Sequence, residues 1–135
     1  MSGTMTGGCQ CGAVRYEVEG EMAHHAVCHC KDCRASAGAP MVAWMAFPAA
    51  GFRVTKGEAV AFNSSGASIR HFCGTCGTGL FFLNDQFLPG IVDIQSATLD
   101  DAAAHAPGAQ IQTAERLAYM AKLNELPEFE RFPGM

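Results

Sequence analysis

The sequence predicts a mainly β protein built from folded antiparallel sheets, and three observations carry that expectation. Six short apolar runs, at 41–47, 52–56, 60–63, 68–72, 79–83 and 91–96, are separated by Gly, Pro, Asn or Ser, which is the punctuation of sequential strands. Val14, Tyr16 and Val18 alternate with Arg15, Glu17 and Glu19, the period of a half-buried strand. All seven cysteines fall into three tight clusters, Cys9-Gln10-Cys11, Cys28-His29-Cys30-Lys31-Asp32-Cys33 and Cys73-Gly74-Thr75-Cys76, so metal rather than a large core is expected to staple the sheets. At 135 residues the chain is read as a single domain over residues 1–135, long enough to bury roughly two-thirds of its unfolded surface.

In chain order, the alternating strand at 14–18 is followed by a Gly20-Glu21 turn, and residues 23–27 are expected as its return strand, running into Cys28. Residues 31–36 hold few apolar and few β-branched side chains, so a single helical turn is expected beneath the second cluster. The six runs above then supply the remaining strands of a sandwich or folded sheet. After Thr98 the composition turns to Asp and Ala. A short helix over 100–105 is expected from its acidic start. A second helix is expected over 113–122, with Leu117, Met120 and Ala121 on one face and Pro107 and Pro127 bounding it. No repeat of 20 to 50 residues is present.

Composition narrows the function. No run approaches the roughly 20 consecutive apolar residues of a membrane span. Residues 1–8 lack the basic and apolar regions of an export leader. An odd cysteine count in C-x-C and C-x-x-C pairs is better explained by metal in a reducing cytoplasm than by a disulfide framework. A formal net charge of −4, with nine Lys and Arg spread along the chain, argues against nucleic acid as a partner.

The chemistry lies in the clusters. A C-x-C pair on an extended strand points both sulfurs to one face, and a C-x-x-C pair presents two sulfurs from one turn. Four thiolates close a tetrahedral zinc site, whereas three leave a position open, so seven cysteines read as four plus three. Cys9, Cys11, Cys73 and Cys76 together would link the chain start to its middle, with Gly74 and Gly77 giving the backbone freedom of a metal-binding knuckle. The alternative is buried free thiols. Cys28, Cys30 and Cys33 can converge on one ion, leaving an open position at which a thiol or water is activated or a carbonyl polarised. Alternatively His24, His25, His29 or His71 completes that site and makes it purely structural, or two of its thiols pair oxidatively. His29, lying between two ligands on a strand, is expected to point away into packing or a hydrogen bond. Phe72, Phe81, Phe82, Phe87 and Trp44 are read as core.

The segments Gly7-Gly8-Cys9-Gln10-Cys11-Gly12-Ala13-Val14-Arg15-Tyr16, Cys28-His29-Cys30-Lys31-Asp32-Cys33-Arg34 with Ser36 and Gly38 behind it, and Phe72-Cys73-Gly74-Thr75-Cys76-Gly77 carry a resemblance. In this order and spacing, over roughly the first two-thirds of the chain, they resemble the glutathione-dependent formaldehyde-activating enzyme family, which shares its domain with centromere protein V. The chain departs from that pattern after Ile111, where Gln112-Thr113 and then Tyr119 stand near the place of a family tryptophan.

The resemblance implies an Mss4-like fold. It also implies a structural zinc on Cys9, Cys11, Cys73 and Cys76, and a catalytic zinc on Cys28, Cys30 and Cys33, so two Zn²⁺ per chain with the second more labile. The implied activity is that of a carbon–sulfur lyase or synthase joining formaldehyde to the thiol of glutathione to give S-hydroxymethylglutathione. Glutathione is negatively charged, which makes Lys31, Arg34, Arg53 and Arg70 the candidate contacts, each equally well read as a solvated surface residue. The competing classes are a noncatalytic zinc-stapled binding module and a thiol redox sensor.

Overall fold

The computed structural model describes residues 3–134. Its strands are β1 (Met5–Gly8), β2 (Arg15–Val18), β3 (His24–Cys28), β4 (Val42–Pro48), β5 (Phe52–Lys56), β6 (Ala59–Ser65), β7 (Ser68–Cys73), β8 (Gly79–Asn84), β9 (Ile91–Gln95) and β10 (Ala109–Ile111). One α-helix, α1 (Lys31–Ala37), follows the second cysteine cluster. The molecule is mainly β, with two sheets. The smaller has the order β1-β2-β5; the larger runs β10-β3-β4-β9-β8-β7-β6. Every pairing is antiparallel except that of β10 with β3.

The six apolar runs all form strands, β4 to β9, with ends displaced by at most a residue or two from the expected ones. The alternation at 14–18 produces β2, whose Tyr16 and Val18 are buried beneath the large sheet while Arg15 and Glu17 are only partly covered. Residues 23–27 also form a strand, but not the expected partner of β2. The chain crosses instead to the large sheet, where β3 pairs with β4 from His24↔Ala46 to Cys28↔Val42. The partners of β2 are β1 and β5.

Successive side chains of the large sheet enter different apolar clusters, as strand alternation requires. Met45, Phe47, Val92 and Ile94 pack with Tyr16, Val18 and Leu80 between the sheets. Phe52 of the small sheet meets Phe81 of the large one with ring centroids 4.7 Å apart. Val42 and Trp44 instead join Cys28, Cys33 and Phe82 under α1. The large sheet is thus packed on both faces, and each cysteine cluster belongs to one of them.

The helices expected near the C-terminus are shorter and tighter than the pattern suggested. Over 100–105 only the 3₁₀ turn Ala102–Ala104 forms. Over 113–122 the chain makes the 3₁₀ turn Thr113–Glu115, extends through Arg116 and Leu117, and resumes as 3₁₀ turns over Ala118–Glu125. No residue of these segments is buried, so an amphipathic face has nothing to pack against, and an isolated helix of this length is marginal in water.

One buried carboxylate marks a cost in this packing. Asp93 on β9 is 8% exposed, and its Oδ1 has no hydrogen-bond partner; His24 Nε2 stands 3.8 Å away. Burial pushes the Asp93 carboxyl above its ordinary value, opposed by His24. A carboxyl raised by folding favours the folded state most below its unfolded pKa, about 3.9, and that advantage is lost as pH rises through the folded value. Asp93→Asn is therefore expected to raise the melting temperature at pH 8 by roughly 3–5 °C, a gain that shrinks towards pH 4. Thermal melts of both proteins at the two pH values measure it; a variant equally or less stable at pH 8 contradicts it.

Candidate metal centres and an adjoining cavity

The first and third cysteine clusters are the tips of two hairpins from different sheets. Cys9 and Cys11 lie in the connection between β1 and β2, while Cys73 ends β7 and Cys76 lies in the connection to β8. The C-x-C pair is in the turn between the two strands, not on an extended strand. Gly12 donates its N–H to the Cys9 carbonyl at 3.1 Å with φ +79°, curling the backbone so that the Cys9 and Cys11 sulfurs converge. Gly77 does the same for the other tip, donating to the Cys73 carbonyl at 2.8 Å with φ +83°. Gly74, also expected to supply such freedom, has no positive φ. A Cβ there would instead approach Val60 Cγ2 to 2.8 Å.

The four sulfurs all lie within 4.8 Å of one another, with Cys9 Sγ 3.6 Å and Cys73 Sγ 3.8 Å from Cys11 Sγ. Four sulfurs placed tetrahedrally about 2.3 Å from a zinc ion are separated by about 3.8 Å, so the donor set fits a metal without rearrangement. Backbone N–H groups point at the sulfurs: Val14 to Cys9 at 3.2 Å, and Thr75 and Cys76 to Cys73 at 3.4 Å. Thr78 Oγ1 lies 3.2 Å from Cys76 Sγ, and this contact holds the Cys76 thiol down to about 5. Such N–H and O–H donors stabilise thiolates and orient them. Gln10 N–H also donates to Thr78 Oγ1 at 3.1 Å, joining the two tips directly.

The second cluster is local. Cys28 ends β3, Cys30 is the N-cap of α1, and Cys33 lies inside the helix. Cys30 is extended, with φ −66° and ψ 152°, so Cys28 and Cys30 share a face, and the first helical turn returns Cys33 to it. Cys30 Sγ accepts the Cys33 N–H at 3.3 Å. The three sulfurs lie within 4.8 Å of one another and could hold a metal ion; Cys28 and Cys33 are buried and Cys30 is partly exposed. Burial pushes the Cys28 thiol up to about 12 and also raises Cys33, where the Arg70 guanidinium opposes the rise.

Among the described residues no histidine nitrogen joins this group. His29 is 1% exposed, and its Nε2 lies 2.8 Å from Gln110 Oε1. His25 Nε2 is 2.7 Å from Ser96 Oγ, His24 faces Asp93, and His71 stacks on Phe81 with ring centroids 4.3 Å apart.

β10 and the turn that follows it fasten the cluster. His29 N–H donates to the Ile111 carbonyl at 3.1 Å, and Lys31 N–H to Glu115 Oε1 at 2.7 Å. Arg34 donates to the carbonyls of His29 and Glu115 at 3.2 and 3.4 Å. Gln110 and Glu115 sit in an exposed stretch, and no spacing in the sequence points to them.

Beside the cluster, a cavity of about 560 Å³ opens between α1 and the sheet. Trp44, Phe62, Phe72 and Phe81 give it an aromatic wall; Asp32, Ser64, Arg70 and Gln95 supply polar groups. Trp44, expected only as core, is both buried and part of this wall. Gln95 lies across Gly79, where any Cβ would collide with the Gln95 amide. The three sulfurs do not line the cavity. Arg70 is the link, lining it while its terminal nitrogens lie 3.8 and 3.9 Å from Cys33 Sγ.

Most of the chain is matched by a known family. The profile of the glutathione-dependent formaldehyde-activating enzymes covers residues 4–115. The chain belongs to that family. The matched region takes in all seven cysteines and ends at Glu115, the residue that fastens the start of α1. A Rhodobacter sphaeroides protein, solved as a structural-genomics target, is similar in fold with a TM-score of 0.61 and 24% identity, covering 78% of this chain and 99% of its own. No curated protein matches the chain.

Proposed function

We propose that the protein is a zinc-dependent carbon–sulfur lyase or synthase that makes and breaks a thiol–aldehyde adduct, with S-hydroxymethylglutathione as the family-typical case. The observation that carries this reading is the pairing of unlike sulfur groups in a member of this family. One has four donors and bridges two hairpins; the other has three, lies beside a cavity and has a partly exposed member.

On this reading Cys9, Cys11, Cys73 and Cys76 hold a structural zinc that staples an Mss4-like single domain. Cys28, Cys30 and Cys33 hold the catalytic one. A zinc ion bound by three thiolates supplies a Lewis acid at an open position, able to lower the pKa of a thiol and to polarise a carbonyl oxygen. The chain's own contribution is to prearrange the reactants. The β3 end and the first turn of α1 fix the three sulfurs, and Glu115, Gln110 and Arg34 hold that turn against β10. Arg70 places positive charge against the Cys33 sulfur, offsetting the excess negative charge of three thiolates around a divalent ion. In the forward direction the thiol sulfur forms a bond to the aldehyde carbon, the C=O π pair moves to oxygen, and the thiol proton ends on that oxygen. No oxidant or reductant is consumed. A cytoplasmic setting, where glutathione is reduced, fits the unpaired cysteines.

Elemental analysis combined with an adduct-forming assay tests the assignment. Gently purified protein should contain close to two zinc ions per chain. Mild chelation should remove one together with the activity, and added zinc should restore both, because three donors bind less firmly than four. A single zinc whose content Cys28→Ser leaves unchanged would contradict the catalytic site.

A further inference from the structure

Four cations were candidates for contact with an anionic thiol, and three of them are committed elsewhere or lie away from the cavity. Arg34 donates to the backbone carbonyls of His29 and Glu115. Arg53 is ion-paired with Glu17 on the small sheet. Lys31 is exposed at the start of α1 and lines a separate shallow groove with Leu117 and Tyr119. Arg70 alone of the four lines the cavity beside the three-sulfur cluster.

The side chain of Arg70 is held from three directions. Nε donates to Ser64 Oγ at 3.3 Å, the guanidinium carbon sits 5.2 Å from the Phe82 ring centroid, and both terminal nitrogens face Cys33 Sγ. Among the described residues no carboxylate pairs with it. A guanidinium carries five N–H donors; one goes to Ser64, and the two long sulfur contacts leave terminal N–H groups free. A stacked, preoriented guanidinium with free terminal N–H groups can donate a charge-assisted hydrogen bond to a carboxylate and loses little side-chain entropy in doing so. Gln95, held over Gly79 on the same cavity wall, adds an amide with no side-chain partner among the described residues. Asp32, from α1, contributes a single opposing charge. The cavity's charge balance therefore suits a carboxylate or a zwitterionic amino-acid end better than a dianionic phosphate.

We propose that Arg70 is the residue that recognises the thiol substrate, gripping its carboxylate at the cavity while the same guanidinium touches Cys33, so that the thiol is delivered to the three-sulfur cluster. This rests on the thiol–aldehyde reading for the identity of the reaction, but not for the binding. The carboxylate grip sets selectivity between charged and neutral thiols. A purely structural Arg70 would lower all activities together and leave that ratio alone.

Ophthalmate, the glutathione analogue with a methyl group in place of the thiol, separates the two questions because it cannot react. Calorimetric titration of zinc-replete wild type, Arg70→Lys and Arg70→Gln with ophthalmate should show binding weakened about tenfold or more in Arg70→Gln, with Arg70→Lys between the two. The diethyl ester of ophthalmate should bind all three proteins alike. In the adduct assay, the preference of wild type for glutathione over its diethyl ester, taken as the ratio of their kcat/KM values, should collapse in Arg70→Gln. Equal ophthalmate affinity in wild type and Arg70→Gln, or no binding to wild type, overturns the assignment. If ophthalmate is discriminated but no thiol is turned over, the thiol–aldehyde reading falls and the Arg70 assignment stands. If glutathione and its ester are turned over equally by wild type, the assignment falls and the reaction stands.

Discussion

Cys73→Ser and Cys76→Ser will leave little folded protein, whereas Cys33→Ser will fold with a modest loss of stability. The difference follows from what each cluster connects. Cys73 and Cys76 sit at the tip of the β7–β8 hairpin in the large sheet, and their partners Cys9 and Cys11 at the tip of β1–β2 in the small one, more than sixty residues away. A structural zinc contributes about 10–16 kcal/mol of binding free energy in small zinc domains, as large as the whole stability of a typical domain at about 5–15 kcal/mol. Cys73 is also 1% exposed within the apolar layer between the sheets, so its loss disturbs packing as well as metal binding. Cys33, by contrast, joins ligands that are neighbours along the chain, and the helix that carries it is fastened independently through Glu115. Soluble yield and thermal melting of the variants measure this. A Cys76→Ser protein melting at the wild-type temperature would remove the stapling role from the four-sulfur site.

The sequence exposed this division unevenly. The strands β4 to β9 were readable because each is an apolar run ended by a turn former, and the sulfur groups because short cysteine spacings constrain geometry whatever the surrounding fold. Strand partnership was not readable. β3 follows β2 after an ordinary Gly20 turn, yet it joins the other sheet, because Ala26 and Cys28 are buried by pairing with β4, which no local pattern encodes. β1, with the sequence Met-Thr-Gly-Gly, and the exposed three-residue β10 have too little periodicity to be seen. The same limit hid Gln110, Glu115 and Gln95, whose roles arise from long-range contacts. Arg70 was visible only as one of four cations, and its neighbours Cys33, Phe82 and Ser64 single it out.

Cys30→Ser will fold and yet lose catalysis. Cys30 is the N-cap of α1, its sulfur accepting the Cys33 N–H, and serine is among the strongest N-caps, so the helix keeps its start. A serine hydroxyl is nevertheless a poor replacement for a thiolate as a zinc ligand, so the substitution removes one of the three donors and little else. Few single changes separate fold from chemistry so cleanly in this chain.

Exchange spectroscopy on formaldehyde and its glutathione adduct, at equilibrium and with the metal content of each sample measured, therefore addresses the central claim most directly. Zinc-replete wild type should exchange free formaldehyde with the adduct faster than the spontaneous reaction, and Cys30→Ser, with an unchanged circular dichroism spectrum, should return the rate to the spontaneous value. Exchange at the spontaneous rate with both metal sites of the wild type filled, for glutathione and for other small thiols, would contradict thiol–aldehyde catalysis by this protein.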